Sequence, residues 1–509
     1  MMLEQILGVL DFELPGLAQD AERAATANKS IKLLRNKSTT LARINVLPSE
    51  LFTRIFELSC RSRKNLCKVD RLSTSPRTLA CVDTYWRQLT LSDSYLWTRI
   101  NLESLNKLSS KPHESTQTQL AYAKNLPLDV ILDSHHFDYR ELMDLHVDLI
   151  PRFHSFAYHL EQSVGYLPHD FLHHWIRHGT LGSSTALKLL SHKPDQTHDL
   201  RLELMQSYSL SMERIEAFLA PVQYLALHYY YFGWSSALYH NLTELDLCFD
   251  LSFVNFPTAS EFAAILSASP GLRALKLLGF GLWLPSSSGE VGPIRLDHLE
   301  TLFLKDIHRR SIRPLLTMLQ PGSNPLYLRF DAPRRSVDML NYVQLLRRSR
   351  VTKLAILGNR EHPPQSLLAS LAGLQHLLLY NFIIDIPFWE SMRESLIPYA
   401  NERHPSMWPS LRTLHLWECD CYGSHYRRYL SDPIPYNFML WVWDFNQFYD
   451  AHGAYIPQNI SKAQRILRIL SNYVPGMQEH LGERSIVYEA WRAVFDFNTC
   501  FKYGSSVSL

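Results

Sequence analysis

Leu242-Thr243-Glu244-Leu245-Asp246-Leu247 carries apolar residues at its first, fourth and sixth places. Its second half alternates apolar and polar, as a strand with one buried face does. The phrase returns with Phe153, Phe156 and Tyr158, then with Val222, Leu225 and Leu227. Further copies are built on Leu272, Leu275 and Leu277, on Leu299, Leu302 and Leu304, and on Val351, Leu354 and Ile356. The series closes with Leu374, Leu377 and Leu379, then Leu411, Leu414 and Leu416. Looser copies stand at Leu200–Leu204 and Leu326–Phe330. Steps between good copies run mostly from about 20 to 30 residues, a spacing that belongs to stacked repeats.

Helical stretches lie between the phrases. Thr258-Ala259-Ser260-Glu261 is a capping box ahead of Phe262, Ile265 and Leu266. Ser311 to Leu319, Ser336 to Leu346 and Gln365 to Ala372 also carry helical apolar spacing. One strand with one helix buries too little alone, so the units must share a core. The series resembles leucine-rich repeats. In that family an asparagine or cysteine follows the last leucine by three residues. Asn359 and Cys419 match that place, whereas Asp250, Phe280, Ile307 and Phe382 do not, which implies an irregular array.

A different pattern precedes the array. Leu47-Pro48 opens a helical run in which Leu51, Ile55 and Leu58 recur at helical spacing, with Phe52 and Phe56 beside them. Pro48 suits a first helical turn, and Glu50 lies near the positive end of the helix dipole. Leu79, Val82, Trp86 and Leu89 then fall on one face of a second expected helix, followed by Tyr95-Leu96-Trp97. So much apolar face on so small a segment calls for a partner.

This ordered set resembles an F-box, of the kind found in fungal proteins. The resemblance implies docking on a Skp-type adaptor, and through it on a cullin, in a ubiquitin ligase. The positions matching the family pattern are Leu47, Pro48, Leu51, Ile55, Val82 and Trp86. Asp83 and Thr84 stand where the family has a cysteine and a basic residue, and a polar insert, Arg61 to Pro76, parts the helices. A strand reading at Leu126–Leu132 extends the resemblance.

Five segments result: a tail or helix over 1–45, the F-box-like domain over 46–102, a linker and first strand over 103–149, an irregular leucine-rich-repeat domain over 150–430, and an aromatic, helical cap over 431–509. The cap rests on the aromatic run from Tyr436 to Tyr449 and on helical stripes from Ser461 and from Ser485. It would cover the last apolar layer of the array. The expected class is therefore α/β: a small all-α F-box, then an irregular leucine-rich-repeat solenoid with a helical C-terminal cap.

Lys and Arg total 51 against 49 Asp and Glu, a net charge of +2, which provides no field for nucleic acid or an anionic membrane. Seven scattered cysteines fit a reducing compartment, and no apolar run spans a bilayer, so the expected site is cytoplasmic or nuclear. His174 and His178 share helical spacing, but no glutamate completes a metalloprotease motif. No phosphate loop or nucleophile elbow occurs. The expectation is a non-enzyme with no catalytic residue, metal or cofactor. It would be the substrate-recognition subunit of a Skp–cullin–F-box ligase, binding a protein substrate through the repeats. The alternative is a non-catalytic scaffold of the same repeats whose F-box no longer binds the adaptor.

Overall fold

The structure, a computed structural model, describes residues 19–20, 22–28, 30–31, 46–60, 75–101, 112–134, 147–160, 169–191, 198–250, 253–284, 291–332, 336–359, 361–363, 367, 371, 373–384, 413–417, 420–421 and 439–443. The chain divides into two compact units, Met1–Asp129 and Val130–Leu509.

The first unit holds helices α1 (Ser49–Cys60), α2 (Pro76–Ala80), α3 (Thr84–Ser92) and α4 (Pro112–Ala123). A 3-10 turn, Ser94–Trp97, leads into strand β1 (Arg99–Asn101), and β2 (Leu128–Ser134) begins at the end of the unit. The core is aromatic. Phe52 and Phe56 are buried, and Trp86 packs edge-on to Phe52 at 5.6 Å and tilted against Phe56 at 4.9 Å. Buried Trp97 donates its indole N–H to the Thr90 carbonyl at 2.8 Å, so its polar atom is paired inside the core.

The second unit is built on parallel strands taken in chain order. They are β3 (Phe153–Leu160), β4 (Ala186–Ser191), β5 (Tyr224–His228), β6 (Glu244–Cys248), β7 (Ala274–Leu278) and β8 (Thr301–Lys305). Then follow β9 (Leu326–Asp331), β10 (Val351–Leu357), β11 (His376–Tyr380), β12 (Thr413–Trp417) and β13 (Met439–Trp443). Helices α5 (His169–His178), α6 (Leu200–Tyr208), α7 (Met212–Leu219), α8 (Ala259–Ser267), α9 (Arg309–Met318) and α10 (Ser336–Arg347) lie between strands.

Register explains the repeated phrase. Leu187, Leu225, Leu245, Leu275, Leu302, Leu328, Leu354 and Leu377 stand side by side across eight strands. Two residues on, Leu189, Leu227, Leu247, Leu277, Leu304, Phe330, Ile356 and Leu379 form a second row. Both rows are buried. Period-two alternation puts them on one face, and any slip by one residue would turn a row outward.

Several expectations are corrected. Strands β3 to β13 form a continuous run of eleven parallel strands, and among their described residues the register shifts only at Leu326/Tyr327. That is an α/β architecture, not the irregular leucine-rich-repeat solenoid expected. The F-box-like segment is not all-α, because β1 lies within it and the Asp129 N–H donates to the Thr98 carbonyl at 2.9 Å. The cap is not simply helical. Met439–Trp443 forms β13, paired in register with β12, as its aromatic and β-branched composition favours. The stripes expected from Ser461 and Ser485 fall outside the described residues.

Two phrase assignments change as well. Leu200–Leu204 opens helix α6, because the Asp199 carboxylate accepts the Arg201 and Leu202 N–H groups and caps a helix there. Ala186–Ser191, which lies outside the series because Ser184 holds the first place, supplies strand β4. The asparagine place is also resolved. Phe280 and Phe382 are buried core residues, while Asn359 is exposed. Turns at the strand ends are held by backbone instead. Tyr229, Phe249, Gly279 and Gly358 each donate an N–H to the last residue of the next strand, at 2.7–2.9 Å. Gly279 has a positive φ of 55°, and a Cβ there would collide with the Phe249 carbonyl.

Candidate docking site

Helix α1 is amphipathic in an unusual sense, since both of its sides carry apolar residues. Phe52 and Phe56 turn into the aromatic core. Leu51, at 51% exposure, Ile55, and Leu58, at 61%, recur at i, i+4 and i+7 and stay in solvent. Three large aliphatic side chains thus form one exposed row on α1.

Leu47 is half-buried and Pro48 exposed just ahead of the helix. The Pro48 carbonyl accepts the Leu51 and Phe52 N–H groups, both at 3.1 Å, which starts the first turn. The expected single helix from Leu79 to Leu89 is broken. Cys81 and Val82 form a turn, and Asp83 begins α3 by accepting the Trp86 N–H at 2.8 Å. Val82, at 48% exposure, therefore sits in that turn rather than on a helix face with Trp86.

The six matching positions thus separate. Leu51, Ile55, Val82 and Pro48 are exposed, Leu47 is half-buried, and Trp86 belongs to the packing between α1 and α3. Two further residues join the exposed set. Leu58 completes the α1 row, which its helical spacing already signalled. Tyr85 is exposed while its ring meets Phe52 edge-on at 5.6 Å; nothing in its sequence neighbourhood distinguishes it from core.

The second face of the sheet offers charge instead. Register aligns Lys188, Ala226, Asp246, Lys276, Phe303 and Arg329 in one row. Lys188 lies 3.9 Å over the Tyr224 ring, and Arg329 lies 4.6 Å over Phe303. Burial pushes the Asp246 carboxyl up. The His228 hydrogen bond and the Lys276 and Lys188 charges outweigh it and hold the group below its ordinary range. His228 Nε2 stands 3.4 Å and Lys276 Nζ 3.9 Å from that carboxylate. Lys188 and Arg329 are buried, so this stretch of the row is a set of internal pairings, not an open surface.

Helix α5 carries the histidines that sequence spacing singled out. His174 and His178 stack at 6.2 Å, and His173 stacks on Tyr208 at 4.6 Å. Burial, then the charges of His174, Arg177 and His178, push His173 down to about 4, so its ring is neutral near pH 7. Among the described residues no group of three or more His, Cys, Asp or Glu is placed to hold a metal ion. No helix among them is long and apolar enough to cross a membrane.

No family model matches the chain, and no curated protein matches it.

Proposed function

We propose that the chain is a substrate-recognition subunit of a Skp–cullin–F-box ubiquitin ligase. The segment Leu47–Leu102 docks the Skp-type adaptor, and the second unit holds a protein target. The observation that carries this reading is the exposed row Leu51, Ile55 and Leu58, backed by the buried Phe52 and Phe56. The inner row makes the helix rigid, and the outer row is left for a partner to cover. Such a subunit works by proximity. It holds the target beside the transfer machinery and raises the effective concentration of the reacting groups. The chain then needs no active site, metal or cofactor of its own. It works in the cytoplasm or nucleus, where that machinery is found.

The test is a pull-down of the purified chain with a Skp-type adaptor. Leu51→Asp and Ile55→Asp abolish capture while leaving the fold of the second unit intact. An intact chain that captures no adaptor removes the ligase reading and leaves a scaffold.

A further inference from the structure

A second uncovered surface lies in the other unit, where the loop after β7 runs beside the first turn of α9. Trp283 is 63% exposed, and Leu284 follows it on the surface. The loop is fixed on both sides. The Trp283 N–H donates to the Pro257 carbonyl at 2.9 Å, beside Thr258, whose capping box with Glu261 starts α8. On the other side the His308 N–H donates to the Phe280 carbonyl at 2.8 Å, and the Leu282 N–H donates to Ser311 Oγ at 2.8 Å. Val254, at 81% exposure, stands on the loop leading into Thr258. An indole held out on a doubly anchored loop is not a fraying side chain. Tryptophan on a rigid support is the residue type that anchors protein interfaces.

The helix beside this indole is built against its own stability. α9 begins His308-Arg309-Arg310, has no side-chain cap, and carries no acidic residue in its first turn. Its neighbour α8 has the full capping box. Cations at a helix N-terminus oppose the dipole, and Arg310 and Arg313, three apart, repel one another. Among the described residues only Arg309 finds a carboxylate, Asp338, at 3.7 Å. Arg310 and Arg313 are exposed and make no ion pair among the described residues. Local rules broken without structural compensation mark functional surface.

We infer that the surface formed by Trp283, Leu284, Arg310 and Arg313 docks an acidic peptide segment of a partner protein, rich in Asp and Glu and bearing one bulky apolar side chain. The apolar residue covers the indole. The carboxylates meet the two unpaired guanidiniums and the uncapped N–H groups of α9. Charge complementarity selects this occupant: arginine forks match carboxylates in a bidentate fashion. The near-zero net charge of the whole chain argues against a nucleic-acid phosphate backbone. The inference extends the proposed function and rests on it only in calling the occupant a target. Its test does not involve the adaptor, so either can fail alone.

A displayed library of random dodecapeptides is selected on the full chain. The recovered sequences are then measured by fluorescence polarisation on wild type, Trp283→Ala and the Arg310→Glu/Arg313→Glu double variant. Exposed positions were chosen so that the variants fold, which circular dichroism checks. The expected result is enrichment of acidic sequences with one aromatic or aliphatic residue. Both variants then weaken binding by at least about tenfold, as loss of a central anchor does. Affinity also falls as salt is raised. Recovery of no peptide, of neutral or basic peptides, or of acidic peptides that bind the variants as well as wild type overturns the inference. So does competition by a single-stranded oligonucleotide at equal affinity.

Discussion

The Asp83 carboxylate accepts the Trp86 backbone N–H at 2.8 Å and so starts helix α3 two residues after the Cys81–Val82 turn. The same bond sets the position of Trp86 over Phe52 and Phe56. Asp83→Ala removes the cap and destabilises the first unit by about 1 kcal/mol, whereas Asp83→Asn costs far less. Urea unfolding followed by tryptophan fluorescence checks this. Equal loss for both variants would mean that Asp83 does not act as a cap.

The two rows of α1 respond differently to substitution. Phe52→Ala empties part of the aromatic core and costs about 3–5 kcal/mol, enough to unfold a small unit. Leu51→Ala, one residue away on the exposed row, changes stability by no more than about 0.5 kcal/mol. Thermal unfolding of both variants provides the comparison. Similar losses would place Leu51 inside the core and withdraw the docking surface.

Burial, and next the charge of Asp306, push the Asp331 carboxyl up to about 6. Its Oδ2 accepts the Asp306 N–H at 2.7 Å. Between the ordinary carboxylate range and about 6, the folded chain holds a proton that the unfolded chain has released. Stability therefore falls as pH rises through that window. Asp331→Asn keeps the acceptor and removes the charge. The variant is more stable than wild type at pH 7 and lacks this part of the slope. Unfolding midpoints at pH 4, 5, 6 and 7 measure it; an unchanged slope contradicts the assignment.

Arg310→Glu replaces a cation with an anion at the start of α9 and removes the repulsion with Arg313. It stabilises the protein by about 0.5–1 kcal/mol. A stabilising change that weakens binding of acidic peptides is the signature of a site held at a cost to the fold. A destabilised Arg310→Glu chain would show that the arginine serves α9 itself.

Much of this architecture can be read from residue spacing. The Leu-x-x-Leu-x-Leu phrase locates most of the strands because its fourth and sixth places must both face the core. The Thr258–Glu261 box locates the start of α8. Two misreadings come from a side-chain cap stronger than the pattern. Asp199 turns an alternating phrase into helix α6, and Asp83 splits one amphipathic run into two helices. Aromatic residues at 439–443 look like a cap until β12 offers a paired edge. In the candidate site, Leu51 and Ile55 are legible from helical spacing. Trp86 and Val82 are not separable without knowing which side of the aromatic core each occupies.

The decisive measurement of adaptor docking is titration calorimetry of the intact, purified chain with a Skp-type adaptor. Saturable one-to-one binding is expected, and Leu51→Asp and Ile55→Asp each abolish it, with circular dichroism of both variants unchanged. No heat of binding with the intact chain, or binding that survives both substitutions, contradicts adaptor docking.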